Sequence, residues 1–205
     1  MIDHGTAAGT LDRNEIMRWR KAERLRLITA RLNLSAEERR GHAAAIARHL
    51  TDALGEVEGR TVAVYWPFRG EPSLRSWMEQ IHAANAQCAL PVVVEARAPL
   101  LFRTWRPGAP MARGIWNIPV PAEGIDVLPD IVVSPVVGFD AACYRLGYGG
   151  GFYDRTLAAM ARKPLVIGVG FAMSAVPTIH PLPHDIPMHF IVTENGCTSA
   201  PERDD

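Results

Sequence analysis

The chain of 205 residues is poor in the features that mark several large protein classes. Its three cysteines, Cys88, Cys143 and Cys197, stand far apart, with no CxxC pair and no neighbouring histidine pattern. That spacing excludes a disulfide framework or a CxxC-type zinc site and fits a reducing, cytoplasmic compartment. No apolar stretch approaches membrane-spanning length, and the N-terminus shows no signal-peptide core. Net charge is also missing, because 22 Lys and Arg balance 22 Asp and Glu. A neutral chain exerts no whole-molecule pull on nucleic acid or an anionic membrane, so neither is expected as a partner. With 48 % apolar and 21 % charged residues, the composition is globular rather than disordered. One domain over residues 13–196 is expected, between a flexible leader (1–12) and a flexible tail (197–205).

The charge is unevenly spread. Residues 11–48 hold ten Arg or Lys against five acids, a local net of +5. Residues 13–33 predict a helix with Leu25, Ile28 and Leu32 as its apolar stripe. On that helix Arg13, Arg20, Arg24 and Arg31 fall within roughly 40° of one another at about 100° per residue. Such a stripe is either a solvated basic face or a site for a phosphate or carboxylate, which relieves the mutual repulsion. Ser35 to Glu38 spells a capping box, predicting a second helix from about Ala36 to Leu54 that stops near Gly55.

Strands are expected at 61–66, 88–94, 101–106, 130–139, 164–171 and 189–194. Helices are expected from Ser73, as cap, to about Ala84, and at 152–162. Residues 107–129, dense in proline and glycine, predict an irregular loop. The alternation implies an α/β fold: a single three-layer, Rossmann-like domain with a mostly parallel sheet flanked by helices.

The sharpest motif is RLGYGGGFYDR (145–155), with four glycines, Gly147, Gly149, Gly150 and Gly151, between a buried strand and a helix. Glycines admit φ > 0 and close approach of backbone N–H groups to an anion, and the helix start adds its free N–H groups and positive dipole end. Arg145 adds a fork for phosphate, and Asp154 an oxygen ligand for magnesium. The alternative is a plain flexible turn. Neither Walker A nor GxGxxG fits, since the Gly-Lys-Ser/Thr ending is absent and Phe152 occupies the sixth position. YWPFRGEP (65–72) follows a strand, where open α/β sheets bind ligands. There Trp66 and Phe68 offer stacking surfaces and Glu71 an acceptor for a ring N–H, with core packing as the plainer reading of the tryptophan. In HPLPHDIP (180–187), Asp185 is a second candidate magnesium ligand, while His180 and His184 read as surface loop residues.

Taken together, FDAACYRLGYGGGFYDR (139–155) resembles the signature of the 5-formyltetrahydrofolate cyclo-ligase family. The resemblance runs over roughly residues 18–194, through the basic helix, LSAEER (34–39), the segment ending at Glu71, and HDIPMHFIVTE (184–194). It implies an ATP- and magnesium-dependent closure of 5-formyltetrahydrofolate to 5,10-methenyltetrahydrofolate through a phosphorylated formyl group, by a cytoplasmic monomer. It places ATP contacts on Arg20, Arg24, Arg145, Gly147, Tyr148, Gly149, Gly150, Gly151, Phe152 and Tyr153. Folate contacts fall on Trp66, Glu71, Tyr148, Gly149, Gly150, Gly151 and Phe152. Magnesium falls on Asp154 and Asp185, and catalysis on Arg145 and Asp154. The sequence departs from the family's pattern at Arg20, where lysine is frequent, at Cys143, a usual glycine, and at His189, a frequent aspartate. In Asn117-Ile-Pro-Val-Pro121 both the glycine and the glutamate of GIPEP are gone. Two other readings stand beside this one: a non-catalytic folate- or nucleotide-binding protein, and an ATP-dependent ligase acting on a related pterin.

Overall fold

The structure is a computed structural model that describes residues 11–201. Helix α1 spans Arg13–Leu32, α2 Ala36–Leu54, α3 Arg75–Ala83 and α4 Phe152–Ala159. The strands are β1 (Thr61–Ala63), β2 (Gln87–Val92), β3 (Leu101–Trp105), β4 (Met111–Arg113), β5 (Pro119–Pro121) and β6 (Asp126–Val127). After them come β7 (Ile131–Pro135), β8 (Gly138–Phe139), β9 (Arg145–Leu146), β10 (Leu165–Val169), β11 (Phe190–Thr193) and β12 (Gly196–Ser199).

Eight strands make one sheet in the order β12-β11-β10-β7-β1-β2-β3-β6. The five central strands, β11 to β2, run parallel, while β12, β3 and β6 are antiparallel at the edges. Side chains alternate across this sheet. Ile131 and Val133 pack with Ile46, Leu50 and Trp77 of α2 and α3 on one face, and Val132 packs with Leu157 and Met160 beside α4 on the other. Burial on both faces is why the central strands read as continuous apolar runs. The α/β reading holds.

Local signals placed most helix ends well. Ser35 and Glu38 form the expected capping box, and α2 stops at Gly55 with φ +60°. Ser73 does not cap α3; the cap position is Leu74, with no side-chain bond. Strand β1 ends at Ala63 rather than Trp66, and α4 ends at Ala159 rather than 162, where Met160 turns extended. The stretch 107–129 is not irregular. It carries the two-stranded ribbon β4–β5, and β6, which joins the sheet edge beside β3. The expected tail contains strand β12, paired with β11, so residues 196–199 are ordered by the sheet. Most of the expected leader lies outside the described residues, but Asp12 is the N-cap of α1, bonding reciprocally with Glu15.

Helix α1 corrects the largest error. Its buried residues are Arg20, Leu27 and Arg31; of the expected Leu25–Ile28–Leu32 stripe Ile28 packs, partly buried, beside Leu27, while Leu25 is 70 % exposed and Leu32 50 %. The helix docks on the loops beyond the sheet, where Leu27 meets Val137, Leu146 and Ile179. The approach is close. A Cβ on Gly138 would stand 2.7 Å from Leu27 Cδ1, so a larger residue there would push the Leu27 side chain aside. Because Leu27 is 1 % exposed, Leu27→Ala is expected to cost about 2–5 kcal/mol in urea unfolding, and Leu25→Ala less than about 0.5 kcal/mol.

Candidate functional site

A cavity of about 450 Å³ opens beyond the carboxyl ends of β1, β2 and β7. The chain runs from β1 to β2 on one side and builds β7, β10 and β11 on the other, so the cavity lies at the switch of strand order. Every residue assigned from the sequence lines it: Arg20, Arg24, Trp66, Glu71, Arg145, the loop 147–153, Asp154 and Asp185. So do Phe68, Trp116 and His184.

One end of the cavity is a cluster of cations. Arg20, buried on α1, donates from Nε to Ile179 O at 3.0 Å and pairs with Asp185 at 2.5 Å. Burial alone would raise the Asp185 carboxyl, but the Arg20 fork and the Leu182 N–H outweigh it and hold it below the usual range. Arg145, buried in β9, pairs with Asp154 at 2.7 Å, and the same Oδ1 accepts from Ile186 N at 3.2 Å. Arg24 has no carboxylate within ion-pair distance among the described residues; its Nε donates to Gly147 O at 2.6 Å. Burial, and then the neighbouring Arg20 charge, press its ionisation downward, so an added anion would be welcome there. Beside it runs the glycine loop. Gly149 and Gly151 adopt φ +93° and +65°, and a Cβ on Gly149 would touch the Arg24 guanidinium at 3.4 Å. No side chain caps the first turn of α4, so its N–H groups remain for a ligand.

The other end is apolar around one acid. Glu71, 5 % exposed, accepts from Phe68 N at 2.9 Å on Oε2 and from the Tyr148 hydroxyl at 2.9 Å on Oε1. Trp66 stands edge-on to Trp105, with the Arg75 guanidinium 4.8 Å above its ring. Phe68 lies 5.6 Å from Tyr148, and Trp116 meets Phe152 edge-on at 5.8 Å. A flat polar heterocycle suits this end: aromatic walls for its faces and a carboxyl group for its edge.

Sequence reasoning missed two contributors. Arg31 belonged to the stripe but was not assigned to the site, although it reaches Tyr148 and stands 3.9 Å from Glu71. Trp116 sat in the supposed loop; the β4–β5 ribbon presents it at the cavity. The departures from the family pattern have local reasons. Cys143 (φ +60°) and Asn117 (φ +64°) both occupy the left-handed region, where glycine is the cheaper residue and asparagine is tolerated. His189 Nδ1 accepts from Val166 N at 3.0 Å, an acceptor role that a carboxylate also fills.

The donors suit a magnesium ion carried with phosphates rather than a cage made by the protein. No group of three or more His, Cys, Asp or Glu side chains gathers among the described residues. Asp154 takes both of its bonds on Oδ1, leaving Oδ2 with capacity for a metal. Both oxygens of Asp185 face Arg20. Magnesium ordinarily takes one or two carboxylates, with waters and substrate phosphates completing its shell.

Comparison with known proteins points the same way. The profile of the 5-formyltetrahydrofolate cyclo-ligase family matches residues 16–194. The chain is 30 % identical over 171 residues to the 5-formyltetrahydrofolate cyclo-ligase of Haemophilus influenzae, covering 79 % of this chain and 90 % of that one. It is 32 % identical over 179 residues to the enzyme of that name from Mycolicibacterium smegmatis, covering 83 % and 91 %. The NMR structure of Aquifex aeolicus 5,10-methenyltetrahydrofolate synthetase superposes with a TM-score of 0.77 at 28 % identity, over 91 % of this chain and 95 % of that one.

Glu71 also makes stability depend on pH. Burial pushes its carboxyl up to about 7, against the opposing pull of Arg31, the Phe68 N–H and the Tyr148 hydroxyl. The folded state thus holds this proton more tightly than the unfolded chain, where the group titrates near 4.5. Its contribution is complete below that value and is lost as pH rises through about 7. Urea titrations at several pH values should therefore show wild type losing up to about 3 kcal/mol relative to Glu71→Gln across this window. A gap between the two proteins that stays constant with pH contradicts the assignment.

Proposed function

The chain belongs to the 5-formyltetrahydrofolate cyclo-ligase family, ATP-dependent ligases of one-carbon metabolism, and on that premise we propose how its own residues carry the reaction. The substrates are 5-formyltetrahydrofolate and ATP, and the products are 5,10-methenyltetrahydrofolate, ADP and phosphate. The observation that carries this reading is the two-ended cavity: three arginines, of which Arg24 has no ion pair among the described residues, and uncapped N–H donors at one end, aromatic walls and a buried acid at the other.

The triphosphate lies along Arg20, Arg24, Arg145 and the backbone of Gly147 to Tyr153. The pterin lies against Trp66, Glu71 and residues Tyr148 to Phe152. The formyl oxygen attacks the γ-phosphorus as ADP departs, which turns a poor leaving group into a good one. N10 then attacks the formyl carbon, and phosphate leaves with the formyl oxygen and takes up the proton that N10 gives up. The protein's share is alignment of the two substrates and neutralisation of the moving charge.

Two of the cations start out paired with the two acids assigned to magnesium. A triphosphate offers Arg20 and Arg145 more negative charge and bidentate oxygens, so both forks turn to it. That exchange frees Asp154, and then Asp185, to hold magnesium, which when bound draws charge from the phosphate oxygens. Arg145 and Asp154 are therefore the catalytic pair. No described helix is long and apolar enough to cross a membrane. The wide spacing of Cys88, Cys143 and Cys197 in the sequence agrees with a cytoplasmic setting.

Absorbance of the methenyl product is the direct assay. Wild type should form it only when 5-formyltetrahydrofolate, ATP and magnesium are all present. Asp154→Asn should keep the circular dichroism of the fold and lose about 10²-fold or more in kcat. Folate binding without turnover in wild type overturns the catalytic reading in favour of a binding protein. Unchanged kcat in Asp154→Asn removes that residue from the site.

A further inference from the structure

Arg31 lies behind the cavity rather than in it. It is 1 % exposed, on the last turn of α1, and is absent from the cavity lining, whereas Tyr148 and Glu71 both line it. Its guanidinium reaches three separate segments. Nε donates to Arg69 O at 2.8 Å, in the turn just before Glu71, where Arg69 itself is left-handed at φ +45°. Nη1 donates to Val136 O at 3.5 Å, at the corner after β7. Nη2 donates to the hydroxyl of Tyr148, in the glycine loop, and stands 3.9 Å from Glu71 Oε1.

Donor chemistry fixes the direction of this chain of bonds. A guanidinium cannot accept, so the Tyr148 oxygen accepts from Arg31 and keeps its one proton to donate. The nearest acceptor is Glu71 Oε1 at 2.9 Å, ahead of Phe68 O at 3.3 Å. The second carboxylate oxygen is held by Phe68 N. Glu71 is thereby aimed from both sides, and the glycine loop is tied to the 67–71 turn. Of the cations at the other end, Arg20 bonds to Ile179, His180 and Asp185, Arg145 to Asp154 and Ile186, and Arg24 to the Gly147 carbonyl of the glycine loop, and none of these bonds goes to the Tyr148 hydroxyl or to Glu71.

We propose that Arg31 is the positioning residue of the folate end of the cavity, acting through Tyr148 and Glu71 without touching substrate and without serving the nucleotide end. This inference rests on the cyclo-ligase reading of the same cavity and assigns one of its ends a control of its own. Among the described residues no second carboxylate acts on Glu71. The groups that face it are Arg31 from α1, Tyr148 from the glycine loop, Tyr65 from the end of β1, and Tyr153 from α4. Removing the Arg31 charge or the Tyr148 hydroxyl therefore takes away a stabiliser of the ionised carboxylate that no neighbour replaces.

Arg31→Lys, Arg31→Met and Tyr148→Phe test this, with two readouts. The first is KM for 5-formyltetrahydrofolate and for ATP, measured separately. The second is a ¹³C titration of the Glu71 carboxyl by NMR in the ligand-free protein. Arg31→Met should raise the folate KM at least tenfold, leave the ATP KM within twofold, and move the Glu71 midpoint upward. Arg31→Lys, which keeps a charge but loses the fork, should fall between it and wild type. Should Arg31→Met fail to fold, Arg31→Lys and Tyr148→Phe decide, since Tyr148 is partly exposed and its ring remains. Equal shifts in both KM values, or a Glu71 midpoint unmoved in Arg31→Lys and Tyr148→Phe, overturn the proposal and leave Arg31 a packing residue. Wild type without turnover overturns the cyclo-ligase reading instead, and the ligand-free titration still decides the role of Arg31.

Discussion

Three guanidinium groups lie on one face of α1, those of Arg20 and Arg31 buried and that of Arg24 half-buried, and the arrangement of the site follows from satisfying them. A buried cation without partners costs several kcal/mol, so each arginine must find oxygen. Regular secondary structure has already used its carbonyls. The partners therefore come from loops: Ile179, His180 and Asp185 for Arg20, Gly147 for Arg24, and Arg69 with Tyr148 for Arg31. Arg20 and Arg31 are eleven residues apart, about 20° around the helix and about 16 Å along it. One rigid helix thus sets the distance between the loops at the two ends of the cavity.

The two ends differ in what they lack. At the basic end Arg24 has no carboxylate within ion-pair distance among the described residues, and Arg20 and Arg145 are paired with the two acids proposed for the metal. Positive charge there is offset enough to fold and free enough to exchange. At the other end Glu71 is short of solvent rather than of partners; its single nearby cation lies at 3.9 Å, with the Tyr148 hydroxyl between. An ATP-dependent ligase needs both conditions in one cavity: charge to receive a triphosphate and a dry, oriented acceptor to align a heterocycle beside it.

Features carried by neighbouring residues were legible in the sequence. The capping box Ser35–Glu38 and Gly55 bracket α2, and continuous apolar runs mark the central parallel strands because both of their faces are covered. The density of glycine in 147–151 marked the loop correctly. Features carried by distant pairing were hidden. Proline and glycine in 107–129 masked β4, β5 and β6, whose partners lie across turns or in β3. The buried face of α1 was misread because apolar residues were taken as the inward ones. Long arginine stems pack like hydrophobes, and their heads here find oxygen instead of water. The role of Arg31 was invisible because its partners lie 38 and 117 residues away.

The partner exchange at the basic end is the central claim, and a crystal structure with a non-hydrolysable ATP analogue and magnesium tests it most directly. The account predicts the Arg20 and Arg145 guanidinium groups on phosphate oxygens, Asp154 on the metal, and the glycine loop N–H groups on the triphosphate. A nucleotide bound with the Arg20–Asp185 and Arg145–Asp154 pairs both intact would contradict it.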